Sequence, residues 1–176
     1  MAVSPEVAAE MVRLCRAIPK HPSKMLRRLA SKDAELHRTV SKNGHHIVFL
    51  KHAVASQLVR EGRDRRECRL HALVKGCGIS YNTLTLNGPN LVCAPHRDGK
   101  NASELSHILF LGDYEGGELC LEDGTVLSER NVWHTFDGKR LLHWNRPITR
   151  GTKWSVVAYE TNQPLAHPGA LRKPAG

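Results

Sequence analysis

Hydrophobic positions recur with two different periods along this chain, and the change falls near Gly76. Before it the spacing is helical. Val7, Met11, Leu14 and Ile18 repeat behind Ser4-Pro5-Glu6, which supplies an N-cap, a proline at the first helical position and an acid in the first turn. Pro19 and Pro22 end that helix. The stretch from Ser23 to Lys42 offers Met25, Leu29, Leu36 and Val40 as a buried face, His45 to Leu50 reads as a short strand, and His52 to Arg60 is helical again. After Gly76 and Gly78 the pattern shortens. Ser80–Leu86, Ser106–Leu111, Glu118–Leu121, Val132–Phe136, Leu141–Asn145 and Lys153–Tyr159 read as strands, punctuated by glycines at 112, 116, 117, 124, 138 and 151. Many short strands with glycine turns predict a sandwich or barrel. The residues after Asn162 are rich in Pro and Gly and read as a loose tail.

The 176 residues suit a single domain: a helical part over 1–75, a β core over 76–162 and the tail over 163–176. Apolar residues make up 40% of the chain, enough for a core. No apolar run is long enough to cross a membrane, and no basic-then-apolar leader opens the chain, so an intracellular protein with no membrane partner is expected, nuclear if the source is eukaryotic. Five cysteines without a CxxC spacing signal neither a zinc site nor a disulfide framework.

Charge adds a partner to this picture. The net charge is +9, and residues 1–80 hold 16 Lys and Arg against 7 acids, whereas residues 81–176 hold 10 against 10. A basic front half beside a neutral one suits a polyanion. Arg60, Arg63, Arg65, Arg66 and Arg69 are interleaved with Glu61, Asp64 and Glu67. This run reads either as a solvated, salt-bridged helix or loop, or as a face on which Arg63, Arg65 and Arg66 meet the phosphates of nucleic acid.

Candidate chemistry lies in the β part. In an extended segment positions i and i+2 share a side, so His96 and Asp98 of His96-Arg97-Asp98 can hold one metal ion together. A second histidine would complete the two-His-one-carboxylate triad, which leaves coordination positions open. His143 and His134 are the candidates. Lys153 and Ser155, also an i, i+2 pair, can receive a buried carboxylate, which needs a cation because an unpaired buried charge is costly. Arg150, in a turn before that strand, is the competing anchor.

Taken together, HxD, Gly112-Asp113-Tyr114-Glu115-Gly116-Gly117-Glu118-Leu119, His143 and, ten residues on, Lys153-x-Ser155 resemble the 2-oxoglutarate/Fe(II)-dependent dioxygenases over about Asn82 to Tyr159. The resemblance implies an α+β protein with a double-stranded β-helix (jelly-roll) core and N-terminal helices packed on it. It implies His96, Asp98 and His143 as ligands of catalytic Fe(II), Lys153 with Ser155 on 2-oxoglutarate, and O₂ as the oxidant. Tyr114 to Leu119 is similar to the prolyl-hydroxylase-like branch. His96-Arg97-Asp98-Gly99-Lys100-Asn101, Phe136-Asp137-Gly138 and Trp154 to Tyr159 resemble the TET/JBP-like nucleic-acid oxygenases more closely. That subgroup implies Arg97, Asn101 and Tyr159 on the substrate, although Thr161 stands where it carries a further polar base contact, a histidine. The expected activity is oxidation of a pyrimidine 5-methyl group, 5-methylcytosine ahead of thymine, in DNA ahead of RNA, by a monomer. The alternative is a prolyl-hydroxylase-like peptidyl or small-molecule hydroxylase.

Overall fold

The computed structural model describes residues 1–20, 44–49 and 64–162. The basic stretch from Ser23 to Lys42, the helical segment expected over His52–Arg60, Arg63 and the Pro- and Gly-rich tail lie outside the described residues.

Helix α1 (Pro5–Ala17) starts where its capping signals place it: Ser4 accepts a hydrogen bond from the Val7 amide, and Pro5 occupies the first turn. Its buried face is Ala8, Met11, Leu14 and Cys15. Helix α2 (Arg65–Gly76) is capped by Asp64, which accepts from the Arg66 amide, and buries Cys68, Leu70 and Val74 together with Glu67 and His71. The two helices pack on each other. Arg69 reaches Glu10 with two hydrogen bonds of 2.7 and 2.8 Å, and Arg66 donates to Ala17 O at 2.6 Å while pairing with Asp64. For Arg66 and Arg69 the salt-bridged helix is therefore the arrangement found, and Arg65 is exposed beside them.

The β part forms two sheets. Strands β1 (Gly44–Phe49), β2 (Thr83–Gly88), β3 (Leu105–Gly116), β6 (Trp133–Asp137) and β8 (Ile148–Tyr159) make a five-stranded antiparallel sheet in the order β1-β2-β8-β3-β6. Strands β4 (Leu119–Leu121), β5 (Val126–Leu127) and β7 (His143–Asn145) make a three-stranded one in the order β5-β4-β7. Among the described residues, two helices on one sheet, with a second sheet facing it, give the α+β jelly-roll arrangement expected.

Alternation along the central strands divides the molecule into two compartments. On one side Leu84 and Leu86 of β2, Leu109 and Leu111 of β3, and Trp154, Val156 and Ala158 of β8 pack against Met11, Leu14, Leu70 and Val74 of the helices. On the other side Ile108 and Phe110 of β3 pack against Leu119 and Leu121 of β4 and Phe136 of β6. That second face also carries Thr85, Asn87, Lys153, Ser155, Val157 and Tyr159, which line a cavity.

Two strands outrun their apolar runs. β3 continues past Leu111 to Gly116 and β8 begins at Ile148, pairing Asp113 with Thr152 and Glu115 with Arg150. Backbone pairing between two polar segments extends the ladder beyond the core, where no hydrophobic period marks it. The Thr149-Arg150-Gly151 segment accordingly lies inside β8 and not in a turn before it. Gly112 is required at this arm: its φ is 106°, and a Cβ there would stand 2.2 Å from Thr152 O.

Candidate metal centre and its cavity

The segment holding His96 and Asp98 has no strand partner along its length. It is pinned at single points. His96 exchanges two backbone hydrogen bonds with His143, at 3.0 and 2.9 Å, and Asp98 N–H donates to Gly138 O at 2.8 Å. His96 therefore lies beside the first residue of β7, and Asp98 lies beside the turn that follows β6. The rings of His96 and His143 sit 4.4 Å apart, with the Phe136 ring edge-on to His143 at 5.2 Å.

Hydrogen bonds set the orientation of both rings. His96 Nδ1 lies 2.7 Å from Ala94 O and His143 Nδ1 lies 3.0 Å from Leu141 O. A ring nitrogen facing a carbonyl must carry the proton and donate, which in the neutral imidazole leaves Nε2 as the lone-pair acceptor. Those Nε2 atoms stand 3.6 and 3.7 Å from the two Asp98 oxygens, too far for good hydrogen bonds. The ligand atoms of all three residues lie within 4.8 Å of one another. Burial lowers the pKa of His143, which favours its neutral, metal-binding form. Two imidazoles with anchored far nitrogens and one carboxylate converging on a gap are the donor set that an iron site with open positions needs.

His134, the rival distal ligand, stands outside this cluster. Its Nε2 is 2.8 Å from Glu129 O. Gly138, which the sequence marks only as part of a turn, bears directly on the cluster. A Cβ there would meet Ser106 Oγ at 2.8 Å and Asp98 Oδ2 at 3.3 Å, so glycine makes room for the carboxylate.

The cluster opens into a cavity of about 540 Å³ whose wall combines apolar side chains such as Ile108, Phe110 and Phe136 with polar ones. Lys153 projects into it from β8 and is 6% exposed. Its ammonium donates to Gly117 O and lies 4.3 Å from the centre of the Phe110 ring. Among the described residues no carboxylate pairs with it, and burial lowers its pKa from 10.5 to about 8. Such a cation, inside a cavity and without an anion, suits an anionic ligand. The Gly116-Gly117 turn thus has a role beyond bending the chain, because a Cβ on Gly117 would press on Lys153 Cδ at 3.1 Å. Ser155, two residues on, lines the same cavity and lies 3.4 Å from Asn87 Nδ2. Arg150 instead pairs with Glu115 at 2.6 Å, its side chain 71% exposed.

Part of the cavity wall is formed by neutral polar side chains. Asn101, Thr161 and the Tyr159–Thr85 hydroxyl pair, 3.0 Å apart, line it. Asn101 is held by its N–H to Asp98 O at 2.9 Å and by a backbone bridge to Thr161. Arg97 also borders the cavity, with its guanidinium bound to Glu122 at 2.8 Å and to Arg140 O at 2.6 Å. Asn145, absent from the sequence expectations, staples the loop before His96: it accepts from Cys93 N–H at 2.7 Å and donates to Leu91 O at 3.2 Å. No local pattern announces these links, since they join segments distant in sequence.

No protein-family model matches the chain, and no curated protein matches it in sequence. Solved structures do match its fold. A prolyl hydroxylase from Trichoplax adhaerens, solved with a peptide fragment of the hypoxia-inducible-factor oxygen degradation domain, has a TM-score of 0.57 at 14% identity, over 89% of this chain and 79% of that one. A Pseudomonas putida prolyl-4-hydroxylase has a TM-score of 0.51 at 14% identity, over 90% of both chains. NgTET1 in complex with 5mC DNA matches at 0.47 and 14% identity, over 81% of this chain and 69% of that one, too loosely to weigh between substrates. The chain therefore has the double-stranded β-helix fold of 2-oxoglutarate–Fe(II) oxygenases.

Proposed function

We propose that this protein is an Fe(II)- and 2-oxoglutarate-dependent oxygenase that oxidises the 5-methyl group of a pyrimidine base in nucleic acid. The observation that carries the oxygenase reading is one cavity containing both His96–Asp98–His143 and a buried Lys153 with no carboxylate paired to it among the described residues. His96, Asp98 and His143 would hold the iron, Lys153 would pair with the distal carboxylate of 2-oxoglutarate, and Ser155 would share it. Iron and 2-oxoglutarate, when bound with O₂, supply oxidative decarboxylation to succinate and oxygen insertion into a nearby C–H bond. The chain's own residues orient and enclose. Ala94 and Leu141 carbonyls keep both imidazoles in the ligand tautomer, while Phe136, Ile108 and Phe110 keep bulk water from the reacting face.

Support for a base as substrate comes from the neutral polar wall. A base acted on by an enzyme leaves its stack, and its edge and face then need hydrogen bonds and an aromatic ring. Asn101 and Tyr159 line the cavity and would provide these, with Arg97 at its border. The basic excess of residues 1–80 would hold phosphates. Arg65 is exposed for that purpose, Arg66 would have to share itself with Asp64, and Arg63 is the third candidate. DNA is favoured over RNA. The second reading is hydroxylation of a peptide, supported by the named activities of the Trichoplax and Pseudomonas neighbours.

The test is mass spectrometry of nucleosides after the protein, Fe(II) and 2-oxoglutarate are incubated in air with methylated DNA, methylated RNA and a proline-rich peptide, with succinate measured in parallel. Oxidised 5-methylcytosine with matching succinate supports the proposal. Succinate coupled to peptide hydroxylation moves the assignment to the second reading. An absence of succinate in every reaction refutes the oxygenase.

A further inference from the structure

The helices and the cavity lie on opposite faces of one sheet. α1 and α2 pack against Leu84, Leu86, Leu109, Leu111, Val156 and Ala158. The alternate residues of the same strands, Thr85, Asn87, Ile108, Phe110, Ser155 and Val157, line the cavity. An α-helix with its side chains is about 10 to 12 Å across. The outer surface of the helices is therefore separated from the cavity by the sheet and by the thickness of a helix.

That outer surface is basic. Its exposed cations are Arg13 and Arg16 on α1 and Arg65, Arg66, Arg69 and Lys75 on α2. The acids beside them are Glu6, Glu10 and Asp64. Glu10 pairs with Arg69 at 2.7 Å and with Arg13 at 3.6 Å, and Asp64 pairs with Arg66 at 2.6 Å. Among the described residues, Arg16, Arg65 and Lys75 have no carboxylate within ion-pair distance. Folding alone does not account for all three. Arg16 and Lys75 stand in last helical turns, where the helix dipole favours a cation, but Arg65 stands in the first turn of α2, where the dipole opposes one.

We infer that the outer face of α1 and α2 is a docking surface for a nucleic-acid backbone, separate from the catalytic cavity, which holds a stretch of the polynucleotide other than the nucleotides around the reacting base. This rests on the base-oxidation reading above. Contacts to phosphate release counterions and carry no sequence information. The surface therefore acts as a tether: it raises the local concentration of substrate at the cavity, and only for a strand long enough to pass round the sheet. At about 3.4 Å per residue, a strand of about seven nucleotides extends only about 10 Å to either side of a central base, and so stays on the cavity face.

Two DNA single strands with the same central 5-methylcytosine, one of about seven nucleotides and one of about 40, provide the test. The variant carries Arg16→Gln, Arg65→Gln and Lys75→Gln, all at exposed helical positions. Fluorescence anisotropy follows binding of the longer strand across a salt series, and mass spectrometry of nucleosides follows oxidation of both. For the longer strand the slope of log K against log salt should flatten by about 2, the release from three single-strand phosphate contacts. The ratio of kcat/KM, long strand over short, should fall by about tenfold, the scale of three exposed charge contacts. Loss of iron or of folded protein cancels in that ratio. An equal fall for both strands makes the surface part of the cavity's own grip, and no fall for either removes nucleic acid from it. Each overturns the inference and leaves the base-oxidation reading intact. Lost binding to anionic lipid vesicles, with the longer strand unaffected, gives the surface to a membrane and also overturns it. If the wild type oxidises neither strand, the base-oxidation reading falls, and the salt slope for the longer strand alone then decides whether the surface binds nucleic acid.

Discussion

Replacing Lys153 by Met should weaken 2-oxoglutarate binding and at the same time stabilise the ligand-free protein. Methionine is similar in length and leaves the cavity wall filled, so the change is mainly one of charge. A hydrogen bond to a charged group contributes about 1.5 to 3 kcal/mol, which at 1.4 kcal/mol per factor of ten predicts a rise of about tenfold to 150-fold in the KM for 2-oxoglutarate. The stability change has the opposite sign. Burial lowers the Lys153 pKa from 10.5 to about 8, and at 1.36 kcal/mol per pH unit keeping it charged in the fold costs about 3 kcal/mol at neutral pH. Losing the hydrogen bond to Gly117 O returns about 1 kcal/mol of that. The variant should therefore gain about 1 to 2 kcal/mol, or about 2 to 8 °C in Tm for a chain of this size. The sign with pH follows from linkage. Between about pH 8 and 10.5 the unfolded lysine holds its proton and the folded one does not, so wild-type stability rises with pH across that window. The advantage of methionine should be full below pH 8 and shrink as pH climbs toward 10.5. Calorimetry of the metal-free, 2-oxoglutarate-free proteins at several pH values, with succinate kinetics beside it, measures both effects. An unchanged KM refutes Lys153 as the anchor. A raised KM with a lowered Tm at pH 7 refutes the argument that its charge is unpaired in the empty cavity.

Three further predictions concern the metal. Asp98→Ala removes the one carboxylate of the candidate metal site and should abolish turnover and most Fe(II) uptake, as measured by metal analysis after anaerobic loading. His134→Ala should leave uptake unchanged, because that ring is bonded to Glu129 O away from the cluster; loss of iron there would reassign the distal ligand. Gly138→Ala places a methyl group 3.3 Å from Asp98 Oδ2 and 2.8 Å from Ser106 Oγ. It should lower Fe(II) affinity by about tenfold to 100-fold, the range seen when groups supporting a metal ligand are lost. Iron titration of the folded variant with wild-type affinity would show that Asp98 needs no such room.

What the sequence makes legible here is whatever a period can carry. On β8 a two-residue period separates Lys153, Ser155, Val157 and Tyr159 from Val156 and Ala158, and the two sets face the cavity and the helices respectively. The Ser4 cap and the Met11–Leu14 face of α1 are equally local and equally readable. Contacts made across the chain leave no such trace. Arg69 meets Glu10 from 59 residues away, and the run of arginines alone shows only charge. The hydrogen bond from Asn101 Nδ2 to Ser106 Oγ is hidden for a related reason: a serine within an apolar strand reads as one more alternating position.

The choice between Lys153 and Arg150 shows where local reasoning stops. Both are cations on one strand, three positions apart, and a turn assignment for Arg150 puts it outside for the wrong reason. It lies in β8 opposite Glu115, on the arm where β3 and β8 pair beyond the core. What separates the two is what covers each residue. Lys153 stands opposite Gly112, beneath the Phe110 ring and against the Gly117 carbonyl, where water is replaced by protein. Arg150 has Glu115 at hand and solvent around both partners. An exposed pair of that kind contributes little and has no need of a ligand. A buried cation with no carboxylate paired to it among the described residues is costly until an anion arrives, and that cost, in the same cavity as three side chains that could hold a metal, is what favours Lys153 over Arg150 as the proposed anchor.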